Sequence, residues 1–156
     1  MRLFRPLLAL SVVLAAAGAC KHTPTDPSGK TITTTKFTCD AAGGGSVGCD
    51  ITIPSTASKL RITFTSHDCD AHGNVITIAE PTVTTLSTDA CYETVPKTIE
   101  IPGPFSTTRL AMKVTSKYIA NPPDLRVSGT SSPWTVKFED GGDQDYNDAI
   151  LTIEAI

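Results

Sequence analysis

The sequence predicts an all-β fold, an antiparallel two-sheet β-sandwich of the jelly-roll or immunoglobulin-like kind. Apolar and polar residues alternate with a period of two over residues 60–65 and 110–115, which is the pattern of half-buried strands. Threonine is frequent, and 11 glycines and 11 prolines punctuate the chain between the apolar segments. No segment beyond residue 20 has convincing helical periodicity. Short strands separated by turn residues favour two packed sheets.

The other predicted strands are short apolar or β-branched segments bounded by turn residues, at 31–38, 50–53, 75–79, 82–86, 98–101, 125–127, 134–138 and 150–154. Trp134 lies in register with Val136 and Phe138, so we predict that these three side chains face the core. Paired prolines exclude a central strand over residues 120–125. We predict a loop there, with the alternative that it forms the rim of a ligand groove.

The first 19 residues have the features of a secretory signal peptide. Arg2 and Arg5 form a basic start, and residues 7–17 are too short an apolar segment to span a bilayer, which takes roughly 20 residues. The run Ala17-Gly18-Ala19-Cys20 resembles the lipobox of bacterial lipoproteins. That resemblance implies cleavage before Cys20 and acylation of its thiol. The alternative is an ordinary signal peptide that ends near a cysteine.

A lipid on Cys20 would hold the protein on a membrane surface, because each buried methylene contributes about 0.8 kcal/mol. Residues 20–30 contain two prolines and no aliphatic or aromatic residue, so we predict a flexible tether. Residues 31–156 fit a single β-sandwich domain. Lys21 follows the cysteine where an aspartate would indicate inner-membrane retention in enteric bacteria. The lipoprotein resemblance therefore favours export to the cell envelope and anchoring in the outer membrane.

The part of the chain after the signal peptide is acidic. Without Arg2 and Arg5 it keeps 11 Lys and Arg against 16 Asp and Glu, a net charge of −5. Nucleic-acid binding needs a basic face that neutralises phosphates. We therefore expect no nucleic-acid partner.

Four cysteines remain besides Cys20, at positions Cys39, Cys49, Cys69 and Cys91. An even number in an exported domain predicts two disulfides, for which three pairings exist. We favour a Cys39–Cys49 bond, which would close the glycine-rich connection DAAGGGSVG, together with a Cys69–Cys91 bond. Each bond could add about 2 to 4 kcal/mol by restricting the unfolded chain. Metal thiolates are the alternative, but the sequence contains no C-x-x-C pair.

A dense acidic segment separates the last two predicted strands. Residues 139–148 contain five carboxylates and no Lys or Arg. Unit charges about 4 Å apart repel by about 1 kcal/mol even in bulk water, and by more near protein, so this segment favours a bound cation. Gly141 and Gly142 permit backbone conformations that other residues avoid. The alternative is a solvated hairpin loop that is acidic for solubility.

Asp143, Asp145 and Asn147 recur at every second position, which directs successive oxygens toward one hard cation. Calcium fits best, because it accepts roughly six to eight oxygens at flexible geometry, whereas magnesium requires a stricter octahedron. The remaining predicted ligands of this site are the other acidic residues of the segment, Glu139, Asp140 and Asp148.

The segment FEDGGDQDYNDAILTI at 138–153 resembles the C-terminal signature of a family of secreted bacterial β-rich domains of unknown function. Members typically have a phenylalanine, an E-D pair, a glycine-rich turn, D-x-D-[FY]-N-D and a hydrophobic strand. The resemblance covers about a tenth of the chain. It implies calcium binding by Glu139, Asp140, Asp143, Asp145, Asn147 and Asp148.

Residues 66–74 form a second polar segment. Asp68, Asp70 and Asn74 offer oxygen ligands for a second calcium site or for the first one. Together with His67 and His72, the aspartates could instead hold zinc or copper. The simplest interpretation is an ordinary turn, because turns favour Asp, Asn and Gly.

These features predict a non-catalytic, lipid-anchored envelope protein that uses a calcium-stiffened loop for binding or adhesion. The expected ligand is a glycan, another envelope protein or a surface. One alternative is a hydrolase of envelope polysaccharide, which needs two carboxylates about 5 to 10 Å apart in a cleft away from the metal loop. Asp68, Asp70 and Glu100 are the candidates, although no H-E-x-x-H motif occurs. The other alternative is a purely structural domain stabilised by calcium.

Overall fold

The computed structural model describes residues 37–42, 45–69, 71–115 and 121–156. Over these residues the chain forms two five-stranded antiparallel sheets packed as a sandwich, which confirms the predicted fold class. The one helical segment in this part is a short 3-10 helix at Ala90–Tyr92. No helix in the same part is long and apolar enough to cross a membrane. The predicted signal peptide, Cys20 and the tether lie outside the described residues.

Ten strands follow along the chain: β1 (Phe37–Ala42), β2 (Ser46–Thr52), β3 (Lys59–Ser66), β4 (Asn74–Glu80), β5 (Thr84–Ser87), β6 (Lys97–Pro102), β7 (Thr107–Val114), β8 (Asp124–Ser128), β9 (Trp134–Glu139) and β10 (Ala149–Ala155). The first sheet has the order β1-β2-β7-β4-β5, and the second has the order β6-β3-β10-β9-β8. Nine of the predicted strands are confirmed. The strand predicted over 31–38 overlaps β1, and its part before Phe37 lies outside the described residues.

The core lies between the two sheets and consists of every second residue of the strands. In β3 the apolar side chains of Leu60, Ile62 and Phe64 are fully buried, while the alternate residues face outward. Trp134 and Val136 are likewise buried, as predicted from their register. A fully buried side chain of this size contributes about 1.5 to 3 kcal/mol relative to an exposed one. The period-two pattern therefore accounts for both strand formation and the packing of the sheets.

Both favoured disulfides are present. Cys39 and Cys49 lie directly opposite each other in the β1–β2 pair, so their bond closes the glycine-rich hairpin. The bond between Cys69 and Cys91 joins the segment after β3 to the 3-10 helix. These bonds tie together two separate parts of the sandwich.

Two loops meet at one corner of the sandwich. The acidic loop (residues 139–148) joins β9 to its antiparallel neighbour β10 in the second sheet, as predicted. The crossover loop (residues 67–73) leaves β3 of the second sheet and enters β4 of the first. The backbone N–H of Asp68 donates to the carbonyl of Asn147 at 3.1 Å, which joins the two loops. This corner contains the predicted metal ligands that the structure describes.

Candidate metal centre

Three carboxylates of the acidic loop form a buried triad. Glu139, Asp140 and Asp148 are 1%, 0% and 2% exposed, and each offers a carboxylate oxygen within 4.8 Å of the others. Strand alternation places Glu139 on the same face as the exposed Lys137, away from the core. It is nevertheless buried, because the loop folds back over it. Backbone N–H groups of Gly141 and Tyr146 donate to its two oxygens at 2.9 and 3.2 Å.

The turn that wraps around Glu139 requires unusual backbone angles. Gly141 has a φ of 100°, which suits a residue without Cβ, whereas Gln144 and Tyr146 have φ values of 68° and 62°. The left-handed region is uncommon for residues other than glycine, and its use here directs the Tyr146 N–H toward the carboxylate. The loop is therefore shaped around the side chain of Glu139.

Asp140 connects the acidic loop to the crossover loop and to the first sheet. Its Oδ2 accepts hydrogen bonds from the Ala71 backbone N–H at 2.8 Å and from the Asn74 amide at 3.1 Å. Its Oδ1 accepts from the Gly142 N–H at 3.0 Å, while its own N–H donates to Asp148 Oδ2 at 2.6 Å. Sequence reasoning placed Asp140 among the ligands but did not foresee these contacts, which join residues up to 69 positions apart.

A second group of carboxylates faces solvent. Asp143 and Asp145 are exposed, and each offers an oxygen within 4.8 Å of the other and of Glu139. Two short turns hold them, in which Asp143 Oδ1 accepts from the Asp145 N–H at 3.3 Å and Asp145 Oδ1 accepts from the Asn147 N–H at 3.1 Å. The Asn147 amide also donates to Asp145. The structure thus divides the acidic side chains into two groups that share Glu139.

The electrostatics of this corner disfavour full ionisation. The pKa of Asp148 is raised from 3.8 to about 7, mainly by burial and also by the nearby negative charges of Asp140 and Glu139, while the hydrogen bond from the Asp140 N–H opposes the rise. The pKa of Asp145 is also raised, first by partial loss of hydration and then by Asp143 and Glu139. A nearby cation would reverse both effects, because it favours the ionised form.

No described Lys or Arg side chain neutralises the acidic loop. The ion pairs in the described part of the chain involve other carboxylates, namely Asp40, Asp50, Glu93, Glu100 and Glu154. Arg126 lies close by, but its guanidinium covers the ring of Tyr146, with Cζ 3.5 Å from the ring centroid. Only backbone N–H groups and amide side chains donate to the buried triad among these residues.

Asp68 and Asn74, the predicted ligands of the second polar segment that the structure describes, do not form a metal site of their own. Asp68 is exposed, and in the described residues it belongs to no close group of three acidic, His or Cys side chains. Asp70 lies outside the described residues. Asn74 is fully buried and contacts Asp140. Of the two predicted ligands that the structure describes here, Asn74, at the start of β4, contacts the acidic loop, which corresponds to the alternative of a contribution to the first site.

The two histidines of this segment have separate contacts. His67 Nε2 lies 3.0 Å from the carbonyl oxygen of Glu93, while His72 stacks on Tyr92 with a centroid distance of 4.7 Å. His72 does lie close to Asp89 and Cys91, but the sulfur of Cys91 is in a disulfide and is not available as a thiolate. This arrangement does not provide the His67–His72 pair that a zinc or copper site would use.

A cleft of about 250 Å³ adjoins the acidic loop. It is lined by residues 121–124 together with Glu139, Gln144 and Tyr146. The paired prolines therefore form part of the wall of this cleft, and the alternative of a ligand groove stays a prediction. Tyr146 is only 8% exposed, and its hydroxyl donates to Asp124 Oδ2 at 2.5 Å. Sequence reasoning did not predict this Tyr146–Asp124 contact, which adds a polar group at the cleft.

The structure can be compared with the requirements of a hydrolase, which needs two carboxylates that face each other in a cleft. Glu100 is exposed and forms ion pairs with Lys59 and Arg61 at 2.8 and 3.1 Å. A larger cleft, of about 430 Å³, has Glu80 as the one carboxylate among its lining residues. The cleft beside the acidic loop contains two, Asp124 and Glu139, but Glu139 belongs to the buried triad. Among the described residues that line them, neither cleft provides a pair of carboxylates away from the acidic loop.

Comparison with known proteins found no protein-family model and no curated protein that matches this chain. The resemblances to bacterial lipoproteins and to a family of secreted β-rich domains stay predictions, which rest on residues 17–20 and 138–153.

Proposed function

We propose that this protein is a lipid-anchored, non-catalytic cell-envelope protein whose acidic loop binds calcium, and that it acts as a binding or adhesion module. The observation that carries the proposal is the buried triad, whose three carboxylates have no described cationic partner. Ionised carboxylates that are removed from water without a counter-charge are strongly unfavourable. A divalent cation between them would offset this cost.

Calcium is the ion that best suits the donors. The acidic loop offers carboxylate and amide oxygens and no nitrogen or sulfur ligand, which favours a hard cation over zinc or copper. The two groups of carboxylates that share Glu139 form an irregular set, which calcium accepts more readily than magnesium. Each carboxylate retains lone pairs beyond those that accept from backbone N–H groups, so a metal and the observed hydrogen bonds are compatible.

The proposal of an exported protein is supported by the two disulfides, which persist in oxidising compartments. Anchoring through lipid on Cys20 rests on the lipobox resemblance. Its test is the variant Cys20→Ser, which should move the protein from the detergent-extracted envelope fraction to the soluble exported fraction. Retention of the variant in the envelope at the wild-type level would contradict lipid anchoring.

The cleft beside the acidic loop supports a binding role over a purely structural one. Its lining combines amide, carboxylate and phenol groups with two prolines, and it includes Glu139. Hydrogen-bonding groups of this kind suit a polyhydroxylated glycan or a polar protein surface. The burial of the triad favours the structural alternative, in which calcium serves stability alone.

A variant of the cleft distinguishes the two roles. Gln144→Ala should weaken binding to isolated envelope glycan and leave calcium stabilisation unchanged. Unchanged glycan binding would favour the structural alternative.

Thermal unfolding with calcium and with chelator tests the metal proposal. A ligand that binds only the folded state raises the melting temperature. We expect millimolar calcium to raise it for the wild type, and we expect Asp143→Ala combined with Asp145→Ala to abolish the rise. The control is Asp50→Ala combined with Glu100→Ala, which removes two ion-paired carboxylates outside the acidic loop whose side chains are 41% and 43% exposed, and which should preserve the rise. Identical wild-type melting curves in calcium and chelator would contradict calcium binding.

A further inference from the structure

We propose that the larger cleft of the sandwich binds a primary alkylammonium group, the charged end of a lysine side chain or of a free amine. The cleft has a volume of about 430 Å³, which lies within the range of roughly 300 to 1,000 Å³ that is typical of small-molecule sites. It is lined by Glu80, Pro81, Phe105, Ser106 and Thr107. β4 runs from Asn74, which contacts the acidic loop, to Glu80, so the cleft lies roughly 20 Å from that loop at about 3.3 Å per residue. Binding here does not depend on the proposed calcium site.

A β-bulge directs Glu80 toward this cleft. Ile76 and Ile78 of β4 are fully buried, and strict alternation would bury Glu80 as well. The pairing with β7 shifts between Ile78 and Glu80, so that Glu80 lies opposite Arg109 and is exposed. Bulges of this kind re-aim side chains and are frequent next to functional sites. The shift therefore places at the cleft a carboxylate that regular strand geometry would have turned inward.

No described basic side chain neutralises the charge of Glu80. Arg109, its cross-strand neighbour, forms ion pairs with Asp40 and Asp50 instead. Glu80 takes part in none of the ion pairs of the described residues. The described residues that line the cleft also include no Lys or Arg. The cleft therefore complements a cation.

The lining groups match an alkylammonium ion in number and kind. The side chains of Glu80, Ser106 and Thr107 can each accept a hydrogen bond, and an ammonium group has three N–H donors and no acceptor. Pro81 and Phe105 offer apolar surface to the methylene stem, and the face of an aromatic ring attracts a cation. A single carboxylate is too few for a calcium site, which uses several oxygen ligands. An anionic ligand would meet the charge of Glu80.

Both walls of the cleft are held by hydrogen bonds before any ligand binds. The fully buried hydroxyl of Thr108 donates to the carbonyl of Glu80 at 2.9 Å. The Ile53 N–H donates to the carbonyl of Ser106 at 2.7 Å, which ties the other wall to the end of β2. Both contacts use backbone carbonyls, so the side chains of Glu80 and Ser106 stay available to a ligand. A preformed site loses less conformational freedom on binding.

Titration of the protein with amines, followed through amide chemical shifts by NMR, tests this proposal. The probes are pentylamine, which is a free amine, and Nα-acetyl-lysine amide, which represents a lysine side chain of a protein. We expect saturable shifts at Glu80 and at residues 105–107 at millimolar concentrations, in calcium and in chelator alike. The neutral analogues, pentanol and the lysine amide acetylated on its side chain, should cause no saturable shift there because they lack the charge.

Three variants separate the contributions of the charge and the ring. Glu80→Gln keeps the size of the side chain and removes its charge, so it should lower the affinity for both amines about fivefold. Phe105→Leu keeps an apolar wall and removes the aromatic ring, so it should lower the affinity about twofold. The matched control is Glu154→Gln, which neutralises a carboxylate of the second sheet that pairs with Arg61 at 3.1 Å. This control should leave amine affinity unchanged.

The results expected for the wild type and for Glu80→Gln decide the proposal. Absence of saturable shifts in the wild type, equal binding of amines and neutral analogues, or wild-type affinity in Glu80→Gln would each overturn it. Tighter binding of the lysine amide would support a protein partner, and tighter binding of pentylamine would support a small amine. If Phe105→Leu does not fold by circular dichroism, Glu80→Gln decides, because Glu80 is exposed. Each of these results leaves the calcium-dependent melting temperature as a separate test of the proposed function.

Discussion

Carboxylates of this protein occur in two contrasting settings. On the face of the first sheet, Arg109 forms ion pairs with Asp40 and with Asp50, the latter at 2.9 Å, and these aspartate side chains are about half exposed. At the corner between the sheets, the buried triad receives hydrogen bonds but no described cationic side chain. Among the described residues, the chain thus provides a counter-charge where water already screens the carboxylates, and provides none where they are buried.

This difference is the reason that we propose a metal ion for the acidic loop. Exposed ion pairs contribute about 0 to 1 kcal/mol, so the cluster around Arg109 changes stability only slightly. Buried carboxylates gain much more from a counter-charge, because the effective dielectric constant around them is lower. A free divalent ion can supply two positive charges without the bulk of a basic side chain. The contrast between the clusters can be tested by changing pH, side chains, disulfides and salt.

The largest expected effect is the pH dependence of stability without calcium. The folded pKa of Asp148 is raised from 3.8 to about 7, so the folded state binds this proton more tightly than the unfolded state does. The stability that results is fully present below about pH 4 and is lost as pH rises through about 7, by up to about 4 kcal/mol. Urea unfolding across this range in calcium-depleted buffer measures the loss. Saturating calcium should reduce it, because the ion favours the ionised carboxylate.

The control for this pH dependence is a comparison of two amide variants. Asp148→Asn should reduce the fall in the free energy of unfolding as pH rises, while Asp50→Asn should leave that fall unchanged. An equal pH dependence in Asp148→Asn and the wild type would show that another group is responsible.

The next largest effect is expected for Asp140→Ala in the presence of calcium. This change removes the acceptor for the Ala71 and Gly142 N–H groups and for the Asn74 amide, as well as a proposed metal ligand. We expect a loss of about 3 to 4 kcal/mol in the free energy of unfolding measured with urea. Asp50→Ala should lose about 0.5 kcal/mol. Equal losses in the two variants would eliminate the distinction between the clusters.

The two disulfides should differ in their effect on calcium. Replacing Cys69 and Cys91 by serine should lower the free energy of unfolding by about 2 to 3 kcal/mol and also weaken calcium binding, because this bond fixes the crossover loop. Replacing Cys39 and Cys49 should cost a similar free energy and leave calcium affinity unchanged, since that bond closes the β1–β2 hairpin. Calorimetry on both double variants measures this difference. Equal calcium affinities would argue against coupling through the crossover loop.

The smallest effect is expected at the exposed cluster. Arg109→Gln should lower the free energy of unfolding by less than about 1 kcal/mol, and added salt should reduce the difference from the wild type. Its calcium-dependent rise in melting temperature should equal that of the wild type. A larger loss of stability that persists in high salt would mean that Arg109 has a packing role beyond its ion pairs.

Local sequence patterns predicted most of the fold. The alternation in β3 and β7 determines which residues face the core, and the parity and spacing of the cysteines were consistent with the disulfides that form. The alternation depends on residues that are adjacent in the sequence, and the disulfides depend on a choice among three cysteine pairings. The acidic loop was also recognisable, because its charge density is a property of ten consecutive residues.

The internal arrangement of the site could not be predicted in the same way. Asn74 and Asp140 are 66 residues apart and meet only because the crossover loop passes from one sheet to the other. Glu139 follows the outward register of β9 but is buried by a turn with a left-handed Tyr146. The regular spacing of Asp143, Asp145 and Asn147 predicted one ligand shell, whereas the fold separates buried and exposed groups. Long-range topology determines this partition.

Terbium luminescence tests the central claim, a calcium site in the acidic loop, most directly. Terbium binds oxygen-rich calcium sites and emits when a nearby tyrosine is excited, and Tyr146 lies within the loop and donates its N–H to Glu139. We predict that emission rises to saturation as terbium is added, that calcium displaces it, and that Asp143→Ala combined with Asp145→Ala removes the signal. The absence of sensitised emission from the folded wild type, or emission that calcium does not displace, would contradict the claim.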